Sequence, residues 1–227
     1  MSKAGTLYVV ATPIGNLKDI TLRALEILKA VDLIVVENKG RALKLLNSYG
    51  LRKRLISLAS YKEERKIPSL LTLLKEGKNL ALTASAGTPC ISDPGRAFVR
   101  ACLKEGIDVR AVPGPSALSA SVSIAGLSAE RFLFYGFLPK KKGEKAKVLR
   151  ELSSFPFAIV FFESKQRLLK TLRALEEHFP QREATLLKEL TKLHEEVISG
   201  KMADLIERLE AGVLQGEYTI IVDGLER

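Results

Sequence analysis

Hydrophobic and polar residues follow two alternating patterns along the first half of this chain. Short apolar runs rich in β-branched residues predict strands, and segments with apolar residues three or four positions apart predict helices. Because the two types alternate, we expect a mostly parallel sheet with right-handed crossovers. The predicted strands are 6–11, 32–37, 79–83 and 108–112, and the predicted helices are 19–30, 41–49, 67–76, 93–105 and 116–124.

The pattern changes between residues 128 and 143, and a domain boundary is predicted near 125–128. An aromatic strand is followed by a basic loop at 138–147 that opens a helix. Strands and helices then resume to the end of the chain. The predicted strands of this half are 131–136, 158–163, 184–188, 194–199 and 218–222, and the predicted helices are 165–177 and 204–209.

Length and composition indicate a globular protein of two domains. The chain has 227 residues, of which 46% are hydrophobic. This length and apolar content are sufficient for two domains of about 100 residues each. No apolar run approaches the roughly 20 residues that span a bilayer, and the first residues resemble a strand more than a secretory signal. Cys90 and Cys102 imply neither a disulfide framework nor a metal site, so a reducing, cytoplasmic location is expected.

The chain carries a formal net charge of +10. Such a charge favours a polyanionic partner through long-range attraction and counterion release. A surface rich in Lys, Arg and Glu, of the kind found in thermophiles, would give the same composition, and both interpretations remain open. Aromatic residues are few and Trp is absent, so an aromatic platform for stacking bases is not obvious.

Three predicted strand-to-helix loops in the first half are rich in Gly, Pro and Ser, at 11–16, 83–95 and 112–117. In an open parallel sheet, ligands bind outside the carboxyl ends of the strands, and long ordered loops are usually functional. Local roles explain parts of them equally well: the first is compatible with a tight turn, Asp93 with a cap on the following helix, and Ser116 with an N-cap.

The sequence offers no Ser-His-Asp arrangement and no metal cluster, which argues against covalent hydrolysis. Methyl transfer from a sulfonium fits better, because it requires mainly that donor and acceptor are positioned in line. Loops of backbone groups and small residues are suited to that task.

Six stretches together resemble the tetrapyrrole-methylase superfamily, over essentially the whole chain. Within it, they are most similar to the methylases that modify a cytidine ribose 2′-oxygen in small-subunit ribosomal RNA. The combination of ATPIGNL, GFLPxK and ELTKxHEE is specific. The stretches are LYVVATPIGNLKDITLRALEILKAVDLIVVE (7–37), AGTPCISDPG (86–95), VPGPSAL (112–118), RFLFYGFLPKKKGEK (131–145), FFESKQRL (161–168) and KELTKLHEE (188–196).

The resemblance implies a two-domain α/β fold, with a mostly parallel N-terminal sheet (domain 1–126) and a mixed C-terminal sheet (domain 127–227). S-adenosylmethionine is expected in the cleft between them, and a homodimer is expected. By the same resemblance, we place contacts with this methyl donor on both domains. They are Pro13, Gly87, Thr88, Ile91, Ser116 and Ala117 in the first three loops, Glu163, Leu190 and Thr191 in the second half, and Thr219 on the last strand.

Several positions depart from the family pattern. The family's Glu-Asp-Thr-Arg appears as residues 37–40, Glu-Asn-Lys-Gly, and its His-x-His-Asn-Glu as residues 59–63, Ala-Ser-Tyr-Lys-Glu. Ser85 stands where the family has Asp, and the chain ends soon after Gly224, without the family's short C-terminal helical extension. We expect the donor pocket to be retained and the changed positions to face the methyl acceptor.

Ribose methylation benefits from a group that takes the hydroxyl proton. Glu37 is the first candidate, although capping or pairing at a strand end would also explain it. Lys39 is a candidate for the same role if burial lowers its pKa, or for contact with an RNA phosphate. Lys140, Lys141 and Lys142 are expected to contact the RNA backbone, with a solvated charged loop as the alternative.

Three functions are compatible with this pattern. The first is an S-adenosylmethionine-dependent methyltransferase acting on ribosomal RNA or the small ribosomal subunit. The second is a methyltransferase acting on a corrin or porphyrin precursor, whose many carboxylates would also suit a basic enzyme. The third is a non-catalytic paralogue that binds the methyl donor. No membrane association and no metal are expected.

Overall fold

A computed structural model describes residues 4–58, 63–126 and 130–225. By its internal contacts, the chain divides into two compact units, Met1–Ser116 and Ala117–Arg227. In the described part of the chain, no helix combines the length and the apolar character needed to cross a bilayer.

The first unit is a five-stranded sheet with the strand order β3-β2-β4-β1-β5. All of its strand pairs are parallel, as the alternation of strands and helices predicts. Its elements are β1 (Leu7–Val10), α1 (Leu22–Ala30), β2 (Leu33–Val36), α2 (Lys39–Ser48), β3 (Arg54–Ser57), α3 (Glu63–Lys75), β4 (Leu80–Thr83), α4 (Arg96–Lys104) and β5 (Val109–Val112), with a 3-10 turn at Leu17–Asp19 before α1.

Helices cover both faces of this sheet. Leu70 and Leu74 of α3 and Phe98 of α4 pack with one set of strand side chains, and Leu28 of α1 and Leu46 of α2 pack with another. Every residue of β2 and β4 is buried. This explains why these two strands are continuous apolar runs instead of alternating ones.

The hydrophobic pattern missed β3, and it placed the start of α3 too late. β3 is only four residues long, and its Arg54 is exposed, so it lacks an apolar run. The pattern placed the start of α3 at residue 67, just before Pro68, whereas the described helix already includes Glu63 and contains Pro68. The stop signals were more reliable: α4 ends at Lys104, and Gly106 adopts a φ of 68°, a conformation that favours glycine after a helix.

The second unit is a mixed five-stranded sheet with the order β6-β7-β10-β8-β9. β6 and β7 are parallel, and β10 and β8 pair antiparallel with their neighbours. The elements are α5 (Ala117–Ile124), β6 (Phe132–Phe137), α6 (Lys142–Leu152), β7 (Ala158–Ser164), α7 (Leu168–His178), β8 (Glu183–Lys188), β9 (Glu196–Lys201), α8 (Met202–Glu210) and β10 (Glu217–Val222).

The core of this unit lies between one face of the sheet and the helices α6, α7 and α8. Phe161 of β7 and Ile220 of β10 are fully buried there against Leu149, Leu172 and Leu205. Helix α5 contacts β10, so it belongs to the second unit by its contacts, although the predicted boundary at residues 126–127 would assign it to the first.

The expected α/β fold, with a mostly parallel first sheet and a mixed second sheet, is confirmed. The predicted domain boundary stays a prediction, since the contact division falls earlier in the chain.

Candidate functional site

The loops that follow β1 and β4 are joined by their main chains. The Thr12 amide donates to the Gly87 carbonyl and the Gly87 amide donates to the Thr12 carbonyl, each at 2.9 Å, which forms an isolated antiparallel bridge. The buried Thr12 hydroxyl lies 3.4 Å from the Gly87 carbonyl oxygen and 3.5 Å from that of Ala84. The two loops are therefore held together at the carboxyl edge of the sheet, where parallel sheets bind ligands.

Gly87 occupies a position that a larger residue would not fit well. It is buried and has a φ of 77°, and a Cβ there would lie 3.1 Å from Cγ2 of Ile14. Both the left-handed backbone and the close approach favour glycine. The first two predicted loops thus meet closely at this residue.

The third loop joins the second through Thr88, whose hydroxyl donates to the Pro115 carbonyl at 3.1 Å. Next to it, Ser116 ends the first unit and Ala117 begins α5, and both are partly buried. Pro13 is also partly buried, whereas 47% of Ile91 is exposed. The loops after β1, β4 and β5 therefore form one connected group, and the predicted contacts of the first unit lie on it or next to it.

Three residues other than glycine have a positive φ in the described part of the chain: Cys90 (67°), Glu189 (51°) and Thr191 (65°). This conformation is strained for residues with a Cβ, and most of all for a β-branched residue such as Thr191. Cys90 lies in the loop after β4, and Glu189 and Thr191 lie in the loop after β8. Backbone strain of this kind is concentrated at functional sites.

Glu37 follows β2 and accepts two hydrogen bonds from one residue of the neighbouring loop. Its Oε2 accepts from the Ser85 amide at 3.2 Å and from the Ser85 hydroxyl. Within the residues that the structure describes, its other oxygen has no hydrogen-bond partner. Ser85, noted in the sequence only as a departure from the family pattern, thus orients the carboxylate that was predicted to be catalytic.

Asp93 lies near Glu37 in the same region. Burial raises the pKa of Asp93 to about 6, the negative charge of Glu37 adds to this rise, and Arg41 partly opposes it. Burial also raises the pKa of the neighbouring Cys90 thiol to about 11, helped by Glu63 and Asp93. The loop after β4 therefore carries a carboxyl group with a pKa of about 6 and a thiol that is protonated at neutral pH.

The suggestion that Asp93 caps α4 is wrong. The N-cap of α4 is Gly95, which has no side chain to offer. Instead, Oε1 of Glu63, at the start of α3, accepts from the amides of Gly95, Ala97 and Phe98 at 3.1–3.2 Å. Glu63 is the last residue of the altered stretch 59–63, and the other four positions of that stretch lie outside the described residues.

In the second unit, β6, β7 and β8 run in the same direction, so their carboxyl ends share one edge of the sheet. Leu190 and Thr191 follow β8 at this edge, and Glu163 is the penultimate residue of β7. Leu190 is buried, and the Thr191 amide donates to the Glu195 carboxylate. Thr219, on β10 beside Phe162 and Leu187, is buried as well.

The Glu163 carboxylate is enclosed by hydrogen bonds of its own unit, and only 1% of its side chain is exposed. Oε1 accepts from the Ser164 amide at 2.8 Å, and Oε2 accepts from the Thr171 hydroxyl at 2.7 Å and lies 3.2 Å from an Arg167 nitrogen. Lys145 in turn donates to the Thr171 hydroxyl oxygen at 3.1 Å. This network joins α6, β7 and α7.

The four lysines predicted to contact RNA are all exposed. Lys39 is the first residue of α2, and Lys140, Lys141 and Lys142 lie at the entry to α6. Lys141 pairs with Glu144 at 3.0 Å, on the surface, where such a pair contributes little. These positions are accessible to a large anionic partner.

The sequence predicts no role for Lys145, Arg167 or Thr171, and for Ser85 it predicts only a position that faces the methyl acceptor. Lys145 and Arg167 lie within two of the stretches that resemble the family, GFLPKKKGEK and FFESKQRL. Nothing in their local pattern distinguishes them from other surface cations. Thr171 occupies an ordinary position within α7, and only the fold brings it between Lys145 and Glu163.

Comparison with known proteins identifies the family. The family of Tetrapyrrole (Corrin/Porphyrin) Methylases matches residues 6–206. Ribosomal RNA small subunit methyltransferase I of Thermotoga maritima is 45% identical over 222 residues, which cover 98% of this chain and 100% of that protein. The protein of the same name from Escherichia coli O157:H7 is 41% identical, over 97% of this chain and 78% of its own length.

A solved structure supports the fold independently. Uroporphyrin-III C-methyltransferase from Thermus thermophilus, complexed with S-adenosyl homocysteine, matches with a TM-score of 0.66 and 19% identity, over 96% of each chain. At that identity the likeness concerns the fold alone. The family match and the sequence relatives show that this chain belongs to the tetrapyrrole methylases and, within them, to the family of ribosomal RNA small subunit methyltransferase I.

Proposed function

We propose that this chain is an S-adenosylmethionine-dependent methyltransferase that modifies the 2′-oxygen of a cytidine ribose in small-subunit ribosomal RNA. One structural observation carries the proposal: the loops after β1, β4 and β5 are hydrogen-bonded into one group, and the oriented Glu37 carboxylate is bonded to the same group through Ser85. The Thermotoga maritima and Escherichia coli relatives carry a ribosomal RNA methyltransferase name, which supports ribosomal RNA over a corrin or porphyrin precursor as the acceptor.

The residues present suit the methyl donor. A sulfonium cofactor with an adenosine and an amino-acid part needs backbone groups and small side chains that approach it closely. The loops provide these at Gly87, where a Cβ would be crowded, and in the small-residue run from Ala84 to Thr88. The positive φ values of Cys90 and Thr191 add support, because such strain is retained where it serves a site.

The proposed donor contacts include both side chains and main chain. Because the Glu163 carboxylate already accepts hydrogen bonds from Ser164 and Thr171, its proposed contact is made through its main chain. The full set is Pro13, Gly87, Thr88, Ile91 and Ser116 on the first unit and Ala117, Glu163, Leu190, Thr191 and Thr219 on the second.

Glu37 is proposed to accept the proton of the ribose 2′-hydroxyl. When bound, the cofactor would supply a methyl group from its sulfonium sulfur. The rest of the cofactor would leave as a neutral thioether. The ribose oxygen gains this methyl group and loses its proton to the carboxylate, so charge and atoms balance. Ser85 holds one carboxylate oxygen through two donors, which leaves the other to face the hydroxyl.

Positive charge supports an RNA acceptor. The chain carries a net charge of +10, and the exposed Lys39, Lys140, Lys141 and Lys142 are proposed to contact phosphates, which position RNA without reading its sequence. A homodimer in the cytoplasm is part of the proposal, and light scattering in solution tests the dimer.

The direct test uses purified protein, a donor with a labelled methyl group, and small ribosomal subunits lacking this modification. Label on a cytidine 2′-oxygen, located by mass mapping after digestion, is the expected result. If calorimetry shows that the donor binds but no ribose gains label, the chain is a binding protein instead. Label on an added tetrapyrrole, with none on RNA, would identify the other class of acceptor.

A further inference from the structure

We propose that Lys145, Arg167 and Lys170 form a binding site for one backbone phosphate of the RNA, beside the start of α7. This inference rests on the proposed function, because it assigns part of the same substrate. The site is distinct from the exposed lysines predicted from the sequence, and its framework is the hydrogen-bond network around Thr171.

Arg167 is held in place by two acceptors. It precedes α7, and one of its terminal nitrogens donates to the Leu138 carbonyl at 2.7 Å and lies 3.2 Å from Oε2 of Glu163. Its side chain is 24% exposed. A guanidinium has five N–H donors, so donors remain for a ligand while the group itself stays fixed.

Lys145 reaches the same place from α6. Its ammonium donates to the Thr171 hydroxyl oxygen at 3.1 Å, and that hydroxyl donates to Glu163 at 2.7 Å. An ammonium has three donors, and within the described residues this is its only hydrogen bond. Lys145 is therefore positioned by a neutral group and has two donors left.

The positive charges at this place exceed the negative ones. Burial lowers the pKa of Lys145, and the charges of Arg167 and Lys170 lower it further, against the opposing effect of Glu163. Arg167 and Lys170 thus both repel Lys145, and the one carboxylate beside them, Glu163, is already engaged. A bound anion would relieve their repulsion, and a phosphate suits a planar guanidinium flanked by ammonium groups.

Two neighbouring features extend the site. The N-cap of α7 forms no side-chain hydrogen bond, so the first turn of this helix adds its positive dipole end. The bond from Arg167 to Leu138 also fastens the segment that leads into Lys140, Lys141 and Lys142. The phosphate site is therefore tied to the segment that carries the exposed lysines, and we expect one RNA strand to contact both.

The test measures binding of a fluorescent small-subunit ribosomal RNA transcript by the full chain across a range of salt concentrations. The two site variants are Lys170→Gln, which replaces an exposed lysine, and Lys145→Met, which replaces a partly buried one. Lys147→Gln is the control, because Lys147 is an exposed lysine on α6 and residues two apart on a helix do not share a face. Thermal unfolding identifies a variant that is simply misfolded.

Each site variant should weaken RNA binding about fivefold at moderate salt and lower the slope of log K against log [salt] by about 0.7–0.9, the value for one lost phosphate contact. The control variant Lys147→Gln should change the RNA affinity and the salt slope less than either site variant does. Donor binding by calorimetry should stay at the wild-type level in all variants.

Four results would overturn the site. The first two are equal effects of Lys170→Gln and Lys147→Gln, and an unchanged salt slope in the site variants. The third is a loss of donor binding in Lys145→Met, which would place a cofactor carboxylate there, and the fourth is wild-type protein that fails to bind RNA. Wild-type protein that binds RNA with the expected slopes but transfers no methyl group would contradict the proposed function and leave the phosphate site standing.

Discussion

At the scale of single residues, two carboxylates organise the loops of the first unit. Glu63 accepts three amides at the start of α4, a helix to which it does not belong. Glu37 accepts the amide and the hydroxyl of Ser85. Both are partly buried, so their hydrogen bonds replace water and contribute more than exposed pairs would.

Glu63→Ala should lower the free energy of unfolding by about 1–2 kcal/mol, because the first amides of α4 lose the side chain that caps them. Urea denaturation measures the change. Glu64→Ala is the matched control, since Glu64 is the exposed neighbour on the same helix, and it should stay within about 0.5 kcal/mol of wild type. Equal losses of unfolding free energy in Glu63→Ala and Glu64→Ala would show that the hydrogen bonds of Glu63 to α4 do not stabilise the protein.

Ser85→Ala should lower the turnover number about tenfold with little change in KM, because the Glu37 carboxylate loses a donor that orients it for proton transfer. Ser85→Thr retains the hydroxyl and should recover most of the rate. The measurement is methyl transfer to small ribosomal subunits across a pH series. A rate for Ser85→Ala equal to that of wild type would remove Ser85 from the mechanism.

At the scale of elements, one buried arginine connects the ends of several segments of the second unit. Arg182, just before β8, donates to the carbonyls of Ser153 at 2.9 Å and Phe155 at 2.6 Å, beyond the end of α6. It also donates to the carbonyl of Asp223, after β10, at 3.4 Å, and it lies over the ring of Phe179. Three carbonyls in two segments therefore depend on one guanidinium.

Arg182→Lys should cost about 2–3 kcal/mol of stability despite the retained charge, because an ammonium lacks the planar geometry that reaches these acceptors together. Chemical denaturation gives the value. Arg173→Lys serves for comparison, since Arg173 forms an exposed pair with Glu210 and should change stability by less than about 1 kcal/mol. A small loss in Arg182→Lys would mean that water replaces the missing donors.

At the scale of the whole molecule, two carboxyl groups make folding sensitive to pH. Burial raises the pKa values of Asp93 and Asp223 to about 6 each, with additional repulsion from Glu37 and Glu183 respectively. Oδ1 of Asp223 is buried without a hydrogen-bond partner among the described residues. Since the folded state holds these two protons more tightly than the unfolded state, the stability that these two groups contribute should fall as the pH rises from about 4 to about 6.

Asp223→Asn should therefore stabilise the protein above pH 6, where the wild-type carboxylate is charged. We expect about 1 kcal/mol near pH 7.5, less than a fully buried group would give because this carboxyl is half-buried. The gain should disappear near pH 4, where Asp223 is protonated. Unfolding curves at both pH values make the comparison, and a gain that is the same at pH 4 and pH 7.5 would exclude ionisation as its cause.

Whole-molecule organisation was largely predictable, because buried strands and amphipathic helices leave strong local patterns. β2 and β4 appear as continuous apolar runs since both of their faces are covered. β3 did not appear, because a four-residue strand with an exposed arginine has too little apolar sequence. The early start of α3 was hidden by Pro68, a residue that usually marks the first turn of a helix.

By itself, the sequence determined the alternating α/β architecture, the mixed second half and the three loops rich in small residues, and its motifs determined the family. Only the tertiary structure decided which side chains meet: Ser85 with Glu37, Glu63 with the start of α4, and Lys145 with Thr171 beside Glu163. The physical reason is that element type follows from local periodicity, whereas these contacts join residues far apart in the chain. They depend on strand order and side-chain direction, which exist only once the sheets have formed.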